Sequence, residues 1–236
     1  MKRGFTLAEV LITLGIIGVI AAMTLPSLIQ DHRNKVVATR LRKFYSVSNQ
    51  AIRRAEVDYG EMQYWIQSSQ WTEYIQESDV AYDKDGKPVK GDTPAMKFFN
   101  KYFTPYMNVT EVKLLPAGNF IAYFADGTAL EQDPNHTNKF NHFRFYVGNP
   151  QRCGMKWQMY GADGSLGKCS FDFLFSSTNY YANQRYKGFE PNYYHTPLDA
   201  DRAKLLHDCR YYKFCAILIQ HDGWEIKKDY PFKVWY

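Results

Sequence analysis

The first 29 residues constrain the fold of the chain more than any other segment. The run from Val10 to Leu25 contains no charged side chain and only two hydroxyl residues. Counted from Phe5 to Ile29, the apolar segment has 25 residues, and a helix of about 20 residues is long enough to cross a bilayer. The alternative is a cleaved secretory signal with its site at Ala21-Ala22, but the apolar core of such a signal spans only about 7 to 15 residues. The length therefore favours a membrane-spanning helix.

The order of residues around this segment is specific. Gly4 lies before the apolar run, directly after Lys2-Arg3. One carboxylate, Glu9, lies at the edge of the predicted membrane-spanning segment. The segment resembles the class III leader of type IV prepilins and type II secretion pseudopilins in its combination of Gly4, Phe5, Thr6, Leu7, Glu9 and Pro26. The resemblance implies cleavage after Gly4, N-methylation of Phe5 and polymerisation. The implied partners are a prepilin peptidase/N-methyltransferase, other pilin or pseudopilin subunits, assembly platform proteins and inner-membrane lipid.

Glu9 and Pro26 are the candidate assembly residues. A charged carboxylate inside a membrane span costs about 3 kcal/mol or more unless it is paired, so intramembrane acids are functional candidates. The resemblance supplies a partner for Glu9, the new Phe5 amine of a neighbouring subunit. The alternative is that Glu9 stays hydrated at the headgroup level. At Pro26 we predict a kink, because proline removes a backbone donor and crowds the preceding turn.

Charge and cysteine content disagree about which side of the membrane holds the remaining residues. The rule that basic residues stay cytoplasmic sets Lys2 and Arg3 against a larger group on the other side, Arg33, Lys35, Arg40, Arg42 and Lys43. Prepilin-like leaders direct the domain outward, however, and four cysteines fit an oxidising compartment. We therefore expect a single-pass inner-membrane protein with its domain outside the cytoplasm, and later a periplasmic or cell-surface fibre.

Beyond Gln30 the helical pattern becomes amphipathic. Residues spaced by three and four share one face of the predicted helix: Val37, Leu41, Phe44, Ser48, Ala51 and Ala55. Tyr59-Gly60 should end this helix. Its other face is basic, which suggests either a DNA or acidic-lipid surface or, as we favour, a solvated face. The predicted division is a leader (1–4), a transmembrane and polymerisation helix (5–29), its amphipathic continuation (30–59) and a globular domain (60–236).

The residues after 60 predict an α+β domain with an antiparallel sheet. Helical spacing predicts short helices over residues 61–78, 94–106 and 198–207. Period-two alternation predicts strands over residues 120–124, 128–131, 143–147 and 171–175, the first two joined by a primed turn at Asp126-Gly127. The apolar run 215–219 is predicted to be a buried strand. This half of the chain resembles the C-terminal domains of pilin-like proteins more loosely, through Asp126-Gly127, residues 143–150, Cys209, Cys215 and Gly223-Trp224.

The sequence contains no motif that predicts an enzyme, a cofactor or a metal. The six histidines form no His-x-x-x-His or His-Glu-x-x-His pair, and the segment 161–169 departs from a phosphate-binding loop in spacing and at Cys169. A calcium loop around the turn at residues 83–88 would need an acid at position 81 and a bidentate glutamate at position 92, but the sequence has Ala81 and Asp92 there. The loop at 146–149 also lacks the acid of the calcium loops in related proteins. His207, beside Asp208, is predicted to lie on an exposed helix face.

The four cysteines allow three pairings. We predict Cys153 with Cys169, joined by a glycine-rich hairpin, and Cys209 with Cys215, joining the end of a helix to the start of the strand predicted over 215–219. Sequence spacing alone leaves crossed pairing open, because it does not fix the separation of the Cα atoms.

Two classes of function fit these observations. The first is a structural subunit, a pilin, minor pilin or pseudopilin. The second is a membrane-anchored binding module, an adhesin or DNA-uptake minor pilin, with the tyrosine-rich segment 179–194 as its surface loop. An anchored enzyme is a remote third alternative.

Overall fold

In a computed structural model the chain is one long helix with a six-stranded sheet packed against its second half. The structure describes residues 6–65, 94–115, 119–132, 141–154, 164–176, 188–193 and 201–236. Helix α1 runs from Leu7 to Tyr59, which is 53 residues or about 80 Å. It ends at Gly60, whose φ of +81° lies in the left-handed region that favours glycine. The predicted end at Tyr59-Gly60 is confirmed.

The half of α1 from residue 30 to residue 59, here called the domain half, buries the face that the spacing predicted. Its buried residues are Val37, Ala38, Leu41, Phe44, Ser48, Ala51, Ile52 and Ala55. On the opposite side Lys43 and Arg54 are exposed. The amphipathic continuation of the helix is thus an integral part of the domain core.

The six strands form one antiparallel sheet whose spatial order follows the chain. They are β1 Val109–Leu114, β2 Phe120–Phe124, β3 Ala129–Gln132, β4 Asn141–Tyr146, β5 Ser170–Ser176 and β6 Gly188–Pro191. The predicted strands correspond to β2 through β5, so the α+β architecture of a long helix on an antiparallel sheet is confirmed. The two outer strands were not predicted. Strand β6 has only four residues, of which one is glycine and one proline, and both weaken a strand signal.

Phe44 joins the helix to the sheet. Its ring stacks on Phe145 of β4 at 4.2 Å between centroids and meets Phe173 of β5 edge-on at 4.9 Å. Phe189 of β6 lies 5.7 Å away. Aromatic pairs in these arrangements add about 0.5–1.5 kcal/mol beyond the apolar area that they bury. The domain is therefore folded around α1 rather than attached to its end.

A second aromatic group closes the end of the domain near Tyr59. Helix α2, Pro94–Tyr102, and the 3₁₀ turn Thr104–Tyr106 confirm the predicted short aromatic helix. Trp65 stacks on Tyr102 at 4.3 Å, and its indole N–H donates to the Gly60 carbonyl. Of the helix predicted over residues 61–78, the structure describes only the 3₁₀ turn Met62–Tyr64. The rest of that segment and the turn at 83–88 lie outside the described residues.

The strand predicted over residues 215–219 is wrong. Helix α3, Arg202–Tyr212, is followed by a second helix, α4, Cys215–His221. A five-residue apolar run does not distinguish a buried strand from a buried helix, and here Cys215, Ala216, Leu218 and Ile219 are buried at helical spacing. The end predicted for α3 at His207 is also wrong, because the helix continues to Tyr212; the predicted start at residue 198 lies outside the described residues.

The hairpin turn between β2 and β3 differs in type from the prediction. The Gly127 N–H donates to the Phe124 carbonyl, and Gly127 alone in this turn has a positive φ, +79°. A primed turn on Asp126-Gly127 would require a positive φ at Asp126 as well. Asp126 instead accepts from the N–H and hydroxyl of Thr128 and pairs with Lys43 of α1 at 2.7 Å. Its side chain thereby fixes an ordinary turn against the helix.

The structure contains both predicted disulfides, Cys153–Cys169 and Cys209–Cys215. The hairpin predicted between the first two cysteines lies largely outside the described residues.

The sheet edge at β6 is held by a side chain from the helix. The Asn49 amide group donates to the Phe189 carbonyl at 2.9 Å and accepts from the Phe189 N–H at 3.2 Å. It thus pairs with the edge strand as a neighbouring strand would. Asn49 lies between the buried residues Ser48 and Ala51 on the helix, and this position does not predict its pairing with β6.

Candidate functional site

The N-terminus of α1 contains the acidic residue that the sequence singled out. Thr6 is the N-cap, and its N–H and hydroxyl both donate to the Glu9 carboxylate at 2.8 Å. The Glu9 N–H donates in turn to the Thr6 hydroxyl at 3.3 Å, which completes a capping box. Within the subunit Glu9 therefore has a local partner. Gly4 and Phe5, the candidate cleavage and methylation residues, lie outside the described residues.

The capping role of Thr6 was missed by sequence reasoning. The signal was present, because a threonine three positions before a glutamate at the start of an apolar run is the sequence signature of a capping box.

The half of α1 from residue 6 to residue 29, here called the membrane half, is uncovered by the domain. None of its residues is buried, and its large apolar side chains are between 42% and 81% exposed. An 18-residue window of the helix has a mean hydropathy of 2.2, which is sufficient by length and composition to cross a membrane. This apolar surface therefore requires lipid or another protein around it.

The polar groups of the membrane half are satisfied within the helix. The Thr13 hydroxyl donates to the Glu9 and Val10 carbonyls, and the Thr24 hydroxyl donates to the Ile20 carbonyl, all at 2.9 Å. Internal pairing of this kind is what an apolar surrounding demands. The helix continues through Pro26 without a break, and the kink predicted there stays a prediction.

The residues considered for catalysis do not form a catalytic arrangement. All four cysteines are in disulfides, so the chain has no free thiol to act as a nucleophile. His207 lies 3.2 Å from Asp208 on α3 and is 57% exposed. Within the described ranges no cluster of three His, Cys, Asp or Glu side chains could hold a metal ion.

The segment 179–194 is only partly a loop. Residues 188–191 form β6, and Tyr193 is buried, with 1% of its surface exposed. The proposed tyrosine-rich surface is therefore wrong for its described part; residues 177–187 and 194 lie outside the described residues.

A row of charged side chains, two of them buried and the third half-buried, crosses the sheet on the face opposite α1. Glu131, Arg144 and Asp172 are directly opposite one another on β3, β4 and β5. Arg144 lies 3.4 Å from Asp172, and the Tyr146 hydroxyl donates to Glu131 at 2.6 Å. Burial and the charge of Glu131 raise the pKa of Tyr146, so the phenol stays protonated as a donor. Sequence reasoning missed this row, because these residues occupy positions that alternation assigns to solvent.

Comparison with known proteins assigns both parts of the chain. The model of the prokaryotic N-terminal methylation motif matches residues 1–25. A family of unknown function (DUF6613) matches residues 27–234. The chain belongs to this family. No curated protein and no solved structure matches it.

The methylation motif confirms the resemblance to class III prepilin leaders. A DUF6613 chain with this motif and this helix is a type IV pilin-like or pseudopilin-like precursor. The apolar helix and the motif indicate a single-pass anchor in the inner membrane. The motif also implies processing by a prepilin peptidase and assembly with other pilin subunits.

Proposed function

We propose that the protein is a structural subunit, a pilin, minor pilin or pseudopilin, that polymerises through α1 into a type IV pilus or secretion pseudopilus. The observation that supports this proposal is the contrast along one continuous helix. The domain half is built into the protein's own core, whereas the membrane half has no cover from its own domain. Lipid covers that surface before assembly, and the helices of neighbouring subunits cover it in the fibre.

Processing precedes assembly in this proposal. The peptidase cleaves after Gly4, the new terminus of Phe5 is methylated, and the domain lies outside the cytoplasm. The two disulfides support that location, because such bonds persist in oxidising compartments. A periplasm-dependent reporter fused after residue 60 tests the orientation directly, and an inactive reporter would reverse it.

Mass spectrometry of the membrane-extracted protein tests the processing step. The wild type should begin at N-methylated Phe5, and Gly4→Asp should retain Met1, because the peptidase requires a very small residue before the cleaved bond. Gly4→Ala is the matched control and should be at least partly processed. A wild-type chain cut after Ala22 would instead identify a secretory signal and overturn the proposal.

Glu9 performs two successive roles in this proposal. In the precursor its carboxylate accepts from Thr6 at the N-cap. In the fibre it pairs with the Phe5 amine of a neighbour. Exchanging one charged or polar partner for another keeps the carboxylate paired at each stage, which offsets the cost of placing it in an apolar surrounding.

The substitution Glu9→Leu tests the assembly role. Membrane insertion should be unchanged or improved, since a costly charge is removed, while the amount of protein in the sheared fibre fraction should fall to background. Thr6→Val is the matched control, because it disrupts the capping box but keeps the carboxylate. If Thr6→Val abolished assembly to the same extent, the loss would reflect helix capping rather than pairing between subunits, and the proposed role of Glu9 would be wrong.

A further inference from the structure

The C-terminal segment 230–236, here called the tail, lies where the domain meets the membrane half of α1. The Gln30 side chain donates to the Val234 carbonyl at 3.3 Å, and the Trp235 N–H donates to the Lys168 carbonyl at 3.3 Å. The Arg40 guanidinium lies over the Tyr236 ring, 4.7 Å from its centroid. The tail is therefore fixed along the start of the domain half, and its Val234 lies beside the point where the exposed apolar half ends.

The length of the helix places this contact relative to a bilayer. If the hydrocarbon begins near Leu7, about 20 residues cross its roughly 30 Å and the far boundary falls near Pro26. Gln30 is four residues further on, about 6 Å beyond that boundary. The headgroup layer extends about 5–7 Å from the hydrocarbon on each side. The groups bonded to Gln30 thus lie at headgroup depth.

The residues beside this contact, in the tail and in the segments packed on it, are aromatic and basic. The Lys168 ammonium lies 5.8 Å from the centroid of the Trp235 ring and 5.9 Å from that of Phe232. The Lys213 ammonium lies 4.2 Å from the centroid of the same Phe232 ring. Lys233 is exposed beside them. Tryptophan and tyrosine at headgroup level, with lysines nearby, are typical of surfaces that contact a membrane interface.

The two lysines converge without an acid to neutralise them. Burial, followed by the charge of Lys168, lowers the pKa of Lys213. Over the part of the chain that the structure describes, neither lysine forms an ion pair with a carboxylate. The Lys213 ammonium donates to the Arg210 carbonyl at 3.0 Å, which uses one of its three donors but does not neutralise its charge. The positive charge of this cluster is therefore available to an anion from outside the protein.

The lysines are held in place by the surrounding backbone. The Tyr230 hydroxyl donates to the Gly167 carbonyl at 2.6 Å, and the backbone of Gly167 approaches Cys215 so closely that an added Cβ would lie 2.8 Å from its sulfur. Gly167 also has a positive φ of +73°. This packing joins the loop that contains Lys168 to the tail and to the start of α4.

We propose that Lys168, Lys213, Phe232 and Trp235 form a docking surface for anionic phospholipid headgroups of the membrane that α1 spans. The aromatic rings enter the interface and the two ammonium groups bind the lipid phosphate. The surface holds the domain against the membrane. This inference rests on the membrane anchoring in the proposed function but not on polymerisation or on the orientation of the domain.

Tryptophan fluorescence of the full chain in nanodiscs tests the docking surface. The nanodiscs contain equal parts phosphatidylcholine and phosphatidylglycerol, and either one lipid or the other carries bromine atoms near the top of its acyl chains as a quencher. The signal of Trp235 is the difference between the wild type and Trp235→Phe. We expect Trp235 to be quenched, and several-fold more by the brominated phosphatidylglycerol than by the brominated phosphatidylcholine.

Two matched controls, Trp224 and the variant Lys101→Gln, accompany this measurement and the double variant that tests the lysines. Trp224 packs on Tyr45 at 5.2 Å, about 15 residues or roughly 22 Å further along the helix than Gln30, and it should not be quenched. The double variant Lys168→Gln/Lys213→Gln should lose the preference for phosphatidylglycerol. Lys101→Gln should keep it, because Lys101 also lies over two aromatic rings, at 5.0 and 4.9 Å, but at the opposite end of the domain half.

The outcomes separate this proposal from the anchoring on which it rests. A chain that fails to enter nanodiscs contradicts the membrane anchor itself. A chain that enters them with Trp235 unquenched, or quenched equally by both lipids, overturns the docking surface and leaves the anchor standing. An equal loss of preference in Lys101→Gln would show a general effect of charge and would also overturn it. Circular dichroism confirms that each variant is folded.

Discussion

The two halves of α1 have the same backbone but opposite surroundings. In the domain half, eight residues are buried and Phe44 alone contacts rings from several strands. In the membrane half, the described hydrogen bonds of the side chains all go to other groups of the helix itself. Both halves are therefore helical, although the domain buries only one of them. One half has its environment supplied by the fold, and the other half must find it in lipid or in neighbouring subunits.

Phe44→Ala should give the largest contrast between the halves. Removing a buried ring that meets rings on four strands should lower the free energy of unfolding by about 3–5 kcal/mol. Urea unfolding of the full chain in detergent micelles, followed by near-UV circular dichroism, measures this. Ile17→Ala, an equally apolar truncation in the membrane half, should leave the unfolding midpoint unchanged. A comparable loss from Ile17→Ala would mean that the domain does contact the membrane half.

Asn49→Ala should produce the next largest effect in the domain half. It removes two hydrogen bonds with Phe189 and leaves a backbone N–H and carbonyl at the sheet edge without that partner. The expected loss is about 1–3 kcal/mol. Gln50→Ala is the control, because its exposed amide donates only to the Ser46 hydroxyl and should change stability by less than about 0.5 kcal/mol. Hydrogen exchange at Phe189 should rise only in the Asn49 variant.

Glu190 makes the stability of the domain half depend on pH. Its carboxylate accepts from the Tyr45 hydroxyl of α1 at 3.2 Å, and burial raises the pKa of Glu190 from 4.5 to about 7. Because the folded state then binds this proton more tightly than the unfolded chain does, protonated Glu190 contributes to the free energy of unfolding. This contribution is fully present below about pH 4.5. That stability should be lost as the pH rises towards 7.

Glu190→Gln tests this dependence. At pH 8 the variant should be more stable than the wild type by on the order of 2 kcal/mol, and at pH 4.5 the two should be alike. Glu225→Gln, which changes an exposed carboxylate, should not alter the pH profile. A Glu190 variant that is equally stabilised at both pH values would show that packing, rather than ionisation, is responsible.

Ser48→Ala should give the smallest effect, a slight stabilisation. The Ser48 hydroxyl is fully buried and has no hydrogen-bond partner among the described residues. Its removal should raise the free energy of unfolding by about 0.5–1 kcal/mol. In the membrane half the hydroxyl of Thr13 is bonded to two carbonyls, and Thr13→Ala should leave the domain's stability unchanged. A destabilised Ser48→Ala would point to a partner for this hydroxyl.

The parts of the fold that sequence reasoning predicted are those with a strong period. The buried face of α1 and strands β2 to β5 repeat their apolar residues over enough positions to define a helix or a strand. The run 215–219 is too short for that, and its helix is decided by packing after α3 and the Cys209–Cys215 bridge. The pairing of Asn49 with β6 and the charged row on the opposite sheet face depend on contacts between distant residues, which no local pattern encodes.

In the candidate site, too, the features encoded in a contiguous stretch of sequence could be predicted, and those assembled from distant segments could not. The leader and Glu9 were found because the motif is contiguous, and the capping box could have been found by the same means. The lysine and aromatic cluster could not, because Lys168, Lys213 and Trp235 come from three separate segments that only the tertiary fold brings together.

The contact between Gln30 and Val234 joins positions that are 204 residues apart. During synthesis the helix emerges well before the residues that close the base of the domain. Contacts between such distant positions slow folding, because a large loop must be ordered before they form. The newly inserted chain should therefore pass through a state in which the anchor is in place but the base of the domain is not yet closed. In that state the apolar helix face around Phe44 is open to aggregation or to a chaperone.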